Sequence, residues 1–147
     1  MQNMGNYTRL TIYTDGASRG NPGLAAWGFY IVDDTTSETV VGLGVALGIA
    51  TNNVAEYQAV LHAVEWLLAH KERLNDDIQI SFRMDSRLVV SQLLGLWKIK
   101  DSKMQQLVGE VREKLHQLPG THTFHHIPRE ENKYADRLAN DALDNGV

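Results

Sequence analysis

Hydrophobic and polar positions change their rhythm part-way along this chain. From Thr8 to Thr14 they alternate, the two-residue period of a half-buried strand. Leu24 to Val32 is aromatic and β-branched (Trp27, Phe29, Tyr30, Ile31, Val32), and Thr39 to Leu47 is rich in valine, so two further strands are predicted. Gly20-Asn21-Pro22-Gly23 and Asp33-Asp34-Thr35-Thr36-Ser37 read as the turns between them. Connections this short favour an antiparallel meander. From Asn53 the spacing turns helical, with Tyr57, Val60, Leu61, Val64, Leu67 and Leu68 repeating at the interval of one buried face.

The second half alternates strand and helix. Ile78 to Met84 reads as a fourth strand, and Leu88 to Leu94 as a short helix stopped by Gly95. A longer helix runs from Ser102 to Leu118, with Met104, Leu107, Val108, Val111 and Leu115 on one face and Pro119-Gly120 at its end. Thr121 to Ile127 is a fifth strand. Glu130 to Leu143 is a last helix, facing inward through Tyr134, Ala135, Leu138, Ala139 and Ala142. The order β-β-β-α-β-α-α-β-α predicts the α/β class, with a five-stranded mixed sheet and helices packed on its faces. No repeat or linker divides the chain, which reads as one domain over 1–147 with its core at about 8–143.

Composition narrows the functional classes. Hydrophobic residues make up 43% and charged residues 22% of the 147, the balance of an ordinary globule. No apolar run is long enough for a membrane helix, and the first residues carry no basic or hydrophobic leader, so the expected location is cytoplasmic. The absence of cysteine removes thiolate catalysis, thiolate metal sites and disulfides together. A net charge of −4 speaks against a uniformly basic surface. It leaves room for a local basic track, for which Lys98, Lys100 and Lys103, and Arg129, Lys133 and Arg137, are candidates. With no heptad and no exposed apolar stretch in the pattern, a monomer is expected.

Four acids stand where such elements begin or end. Asp15 closes the first strand, Glu56 lies in the first turn of the first long helix, Asp85 closes the fourth strand, and Asp136 lies in the last helix. Each has an ordinary structural alternative: Asp15-Gly16 as a turn, Glu56 in a capping box begun at Asn53, Asp85 as a helix N-cap, Asp136 as a surface charge. Oxygen ligands gathered from element ends suit a hard divalent cation. Two carboxylates ~5 Å apart repel by roughly 3 kcal/mol at an effective dielectric near 20, which such a cation relieves.

The segments around these acids carry a more specific signal. Tyr13-Thr14-Asp15-Gly16-Ala17-Ser18-Arg19-Gly20-Asn21-Pro22-Gly23, Thr51-Asn52-Asn53-Val54-Ala55-Glu56, Met84-Asp85-Ser86 and Asn132-Lys133-Tyr134-Ala135-Asp136-Arg137-Leu138-Ala139 resemble the four signature blocks of ribonuclease H type 1, in order and at compatible spacing. The resemblance implies the ribonuclease H-like fold and an endonuclease that hydrolyses the RNA strand of RNA–DNA hybrids, leaving 5′-phosphate and 3′-hydroxyl ends. It implies two Mg2+ or Mn2+ ions, about 3.5–4 Å apart, held by Asp15, Glu56, Asp85 and Asp136. It also implies substrate contacts from Gly16, Ser18, Asn21, Thr51, Asn52 and Asn53. Asparagines there can read 2′-hydroxyls in a shallow minor groove, and Asn52 and Asn53 could instead cap the helix. The glycines of 16–23 are expected to form a loop that lets backbone approach a phosphodiester.

Two features depart from the commoner bacterial pattern. His126 stands where many members place a catalytic-loop histidine, yet the loop Ile127-Pro128-Arg129-Glu130-Glu131-Asn132 resembles an archaeal-like variant in which Arg129 serves near the leaving group. Arg129 is therefore preferred to His126. The basic handle after the second helix is missing, with only Gly95-Leu96-Trp97-Lys98-Ile99-Lys100-Asp101 in its place. The alternative readings are a nuclease of the same fold acting on double-stranded RNA or branched DNA, and a catalytically silent nucleic-acid-binding module. Loss of one acid would mark the last, and none is missing.

Overall fold

The alternating segment that opens the chain does not stop at Thr14. In the computed structural model, which describes residues 6–145, strand β1 spans Tyr7–Gly20. It pairs antiparallel with β2 (Gly23–Asp33) all the way from Leu10↔Asp33 to Gly20↔Gly23. The loop expected over 16–23 is thus a tight hairpin, because continuous ladder pairing outweighs the low strand propensity of its glycines. Strand β3 (Glu38–Ala50) pairs antiparallel with β2 and helix α1 follows at Asn52–Ala69. A 3-10 turn at Lys71–Arg73 leads into β4 (Leu74–Met84), which lies parallel to β1. Pairing of Tyr7 with Leu74 starts β4 earlier than its apolar pattern does, and the register shifts before Arg9↔Gln79, where the Asp77 amide donates to Asn75 Oδ1 at 2.9 Å.

Helices α2 (Arg87–Leu93) and α3 (Ser102–Leu115) precede β5 (Thr121–His126), which is parallel to β4, and α4 (Lys133–Asn145) closes the described chain. The sheet order is β3-β2-β1-β4-β5, a mixed sheet carrying four helices. Two helix ends differ from the pattern for local reasons. The amides of Gln117 and Leu118 bond three residues back, to Lys114 and Leu115, so the expected end of α3 is a tightened turn. Arg129–Glu131 forms a 3-10 turn, and the first bond of α4 runs from the Asp136 amide to the Asn132 carbonyl. Acidic residues at 130 and 131 look like a helix start in sequence, but here they precede it.

Side-chain alternation assigns the faces. Leu10, Ile12, Phe29, Ile31, Ile80, Phe82 and Met84 are buried against Tyr57, Val60, Val64 and Leu67 of α1 and Leu107 and Val111 of α3. Each such side chain contributes about 1.5–3 kcal/mol by leaving water. Helix α4 packs on the opposite face, across β1, β2 and β3, through Ala135, Ala139 and Ala142. Tyr134, expected inward, is instead 42% exposed and stands edge-on to Tyr30, which stacks on Tyr13. The small buried side chains let α4 ride low on the sheet, so its first turn reaches the strand ends.

Candidate active site

Two glycines flank the first of the four acids, one on each face of the sheet. Gly16 follows Asp15 in β1, and a Cβ there would strike the backbone of Ala55 and Glu56 in α1. Gly28 is the β2 partner of Asp15, and a Cβ there would lie 2.7 Å from the Ala135 carbonyl oxygen and 2.8 Å from the Ala139 amide of α4. Bare backbone on both faces lets two helices close on one carboxylate. Glu56 comes from one side and Asp136 from the other. The close approach that sequence assigns to a phosphodiester at Gly16 is made by helix α1.

Asp85 arrives by a different route. Strands β1 and β4 are parallel and their pairing ends at Thr14↔Met84, so Asp15 and Asp85 are the next residues of adjacent strands. Openings beyond the ends of parallel strands are where α/β sheets collect their ligands. Ligand oxygens of Asp15, Glu56 and Asp85 all lie within 4.8 Å of one another. Asp136 lines the same cleft, of about 290 Å³, with Gly16, Ala17, Ser18, Asn52, Ser86 and Arg129.

None of these acids fills its ordinary structural alternative. Thr51, not Asn53, caps α1, its hydroxyl accepting from the Val54 amide at 3.2 Å, which frees Glu56 from a capping box. Ser86 caps α2 by accepting from the Val89 amide at 3.2 Å, which frees Asp85. Asp136 is exposed, but toward the cleft.

Asp15 and Glu56 are only 4% and 3% exposed. Burial pushes the Asp15 carboxyl up to about 7; a hydrogen bond with Glu56 opposes the rise, and the charges of Asp85 and Asp136 add to it. Burial also holds Glu56 well above the usual carboxylate range, with the Asp15 charge next in weight. One buried Glu56 oxygen, Oε2, has no hydrogen-bond partner. An all-oxygen donor set, crowded charge and an orphaned buried acceptor fit a divalent cation that would satisfy all three. The Asp15–Glu56–Asp85 triad could bind metal.

The remaining candidates divide between two clefts. Gly16, Ser18 and Asn52 line the carboxylate cleft, where the Ser18 hydroxyl is already engaged with the carbonyls of Gly20 and Ala50. Asn21, Thr51 and Asn53 line a second cleft on the other side of the α1 N-terminus, with Val54, Asp101, Lys103 and Met104. Asn21 Oδ1 accepts from the Asn52 amide at 3.1 Å, tying the hairpin to the first turn of α1. Arg129 reaches the carboxylate cleft from its 3-10 turn, whereas His126 is an exposed residue of β5 outside the cleft lining.

Asn132 is a site residue to which sequence assigns no task. It is fully buried, and its Nδ2 donates to the Thr14 carbonyl at 2.9 Å and to Asp85 Oδ2 at 3.1 Å. It thereby bridges β1 beside Asp15 to Asp85 just beyond β4. Its place at the head of an amphipathic helix was the available signal, but that position reads first as a cap.

With this geometry in place, the relatives agree. Residues 13–142 match the family model described as reverse transcriptase-like. The chain is 42% identical over 136 residues to ribonuclease HI of Halobacterium salinarum, covering 92% of this chain and 65% of that one. It is 36% identical to a bifunctional protein of Mycobacterium tuberculosis, of which it spans 36%. The chain thus spans less than two-thirds of these relatives. Among solved structures, the RNase H1 of Halobacterium salinarum superposes with a TM-score of 0.84 at 39% identity, covering 93% of this chain and 98% of that one. LC11-RNase H1, solved in complex with an RNA/DNA hybrid, superposes with a TM-score of 0.87 at 37% identity, with the same two coverages. The fold is that of the ribonuclease H-like proteins. Within that class, the chain belongs to the ribonuclease H type 1 family.

Proposed function

We propose that this chain, acting as one domain over 1–147, is an endonuclease that hydrolyses the RNA strand of RNA–DNA hybrids and leaves 5′-phosphate and 3′-hydroxyl ends. The observation that carries this reading is the convergence of Asp15, Glu56 and Asp85 oxygens within 4.8 Å where the parallel pairing of β1 and β4 ends. Likeness to a protein solved with an RNA/DNA hybrid supports the substrate class. Asp15, Glu56, Asp85 and Asp136 would hold two Mg2+ or Mn2+ ions. Bound there, divalent cations supply Lewis acidity and an activated water for phosphodiester hydrolysis.

The protein's own groups do the rest. Asp15 and Glu56, buried where β1 meets α1, present a rigid floor of carboxylate oxygens. Arg129, a permanent cation at the cleft mouth, is placed to steady the charge that develops on the departing 3′ oxygen. Asn52 borders the carboxylate cleft while Asn21, Thr51, Asn53 and Lys103 border the other. Two clefts separated by one helix terminus suit the two strands of a duplex, with the RNA at the carboxylates and a phosphate of the DNA strand near Thr51. Donors from Asn52 and Asn53 would then meet 2′-hydroxyls in the intervening groove. The protein is read as a cytoplasmic monomer; among the described residues, no helix is long and apolar enough to cross a membrane.

Cleavage assays with an RNA–DNA hybrid, a double-stranded RNA and an all-DNA duplex of one sequence, in Mg2+ and in Mn2+, test this reading. The hybrid should be cut in its RNA strand and the DNA duplex should survive. Equal cleavage of hybrid and DNA duplex would move the protein to another nuclease class.

A further inference from the structure

Asp136 differs from its three neighbours in how it is held. Asp15 and Glu56 are buried and Asp85 accepts from the buried Asn132, but Asp136 is exposed on the first turn of α4. An exposed aspartate ordinarily samples several rotamers, and ordering it around a ligand costs conformational entropy. One turn further along α4, Asn140 removes that freedom. Its Nδ2 donates to the Asp136 backbone carbonyl at 3.0 Å and to Asp136 Oδ1 at 3.1 Å. A single amide nitrogen therefore clamps the Asp136 side chain to its own backbone through Oδ1.

We propose that Asn140 is a positioning residue for the metal site: it presets the Asp136 carboxylate so that one oxygen faces the cleft. This rests on the reading of Asp136 as a ligand. Outer-shell donors that orient a ligating carboxylate raise affinity by preorganisation, without touching the ion themselves. The helix places Asn140 four residues after Asp136, on the same face and within reach. Arg19 of β1 leans on the same stretch, its guanidinium 3.5 Å from the Asn140 carbonyl and 2.6 Å from Asp144 Oδ1. Those contacts engage the backbone and the next turn, so they can be broken without removing the Nδ2 donor.

Calorimetric titration of the full chain with Mn2+ alone, in the absence of nucleic acid, measures the effect directly. Asn140→Ala should weaken Mn2+ binding by about three- to tenfold, less than the 10–100-fold typical of losing an outer-shell partner, because the pair is exposed. Asn140→Gln, which keeps an amide donor, should recover most of the loss, and Asp144→Asn should bind as the parent does. Turnover of Asn140→Ala should return close to the parent's once metal is saturating. Asp136→Asn serves as the reference. If Asp136→Asn weakens Mn2+ binding and Asn140→Ala does not, the positioning role is wrong although the ligand reading stands. If Asp136→Asn binds Mn2+ as the parent does, the ligand reading fails and takes the proposal with it. A metal-free melting temperature that falls in Asn140→Ala, or an equal loss in Asp144→Asn, would show that Asn140 acts through the fold of α4 and overturn the proposal.

Discussion

Asp15 and Glu56 are buried as core residues are, where the backbone of β1 packs against the backbone of α1. Asp136 and Arg129 border the same cleft from an exposed helix turn and a 3-10 turn, held by local contacts. The buried half fixes where charge must go, at the expense of carboxylates that resist ionising together. On the exposed half, Asp136 is set by Asn140, while Arg129 faces water and is left to adjust to what enters. Fixed acids beneath and a water-facing cation above suit a site that admits a long polymer rather than enclosing a small molecule.

The largest expected effect comes from the buried half. Asp15→Asn keeps the shape but removes the central charge, so hydrolysis of a hybrid should fall by orders of magnitude while far-ultraviolet circular dichroism stays that of the parent. Near-parent turnover in Mg2+ would dissolve the distinction between the two halves. Next comes the packing that creates the buried half. Gly16→Ala drives a methyl into the backbone of α1, an overpacking worth about 1–3 kcal/mol. It should lower the urea midpoint and, by lifting Glu56 away from Asp15, lower turnover as well. Loss of stability with full activity would show that Glu56 need not be held so tightly.

These two positions also show what sequence can and cannot reveal. All four acids are visible as charges at element ends, and the surrounding blocks fix their family. The strand and helix periods place every strand and α-helix, with misreadings at ends and on one face: the glycines of β1 read as loop, the acids before α4 read as helix, and Tyr134 reads as inward. What stays hidden is mutual. Nothing in one dimension says that Gly16 and Gly28 lie on opposite faces of one carboxylate, since that follows from the β1–β2 register. Asn132 and Asn140 look like a cap and a surface polar residue until their acceptors, Asp85 and Asp136, are brought beside them.

On the exposed half, Arg129→Ala should lower turnover about tenfold, below the hundredfold or more that follows loss of a fully desolvated donor, because Arg129 faces water. Its effect should fall on turnover more than on apparent affinity. His126→Ala, on exposed strand β5, should change little. The reverse outcome would move the assisting group from the 3-10 turn to the strand.

The smallest effect is the most direct measure of the buried half, because it needs no substrate. Asp15 is lifted from its ordinary value of 3.8 to about 7, so the metal-free folded state binds a proton that the unfolded chain has released. Where the folded state binds more protons, stability falls as pH rises. The contribution from the raised Asp15 is fully present below about pH 4 and disappears as pH climbs through about 7; Glu56, raised in the same sense, steepens the decline. In chelator, the melting temperature of the parent should therefore drop across this window more steeply than that of Asp15→Asn. Saturating Mg2+ should flatten the parent's profile, since a cation that binds only the folded state displaces the bound proton and supplies stability by mass action. The parent should release protons on binding metal near pH 6, measurable as a dependence of calorimetric heat on buffer ionisation enthalpy. Parallel profiles for parent and Asp15→Asn, with no proton release, would mean that Asp15 is already ionised in the metal-free fold and that the two halves of the cleft differ in exposure but not in charge.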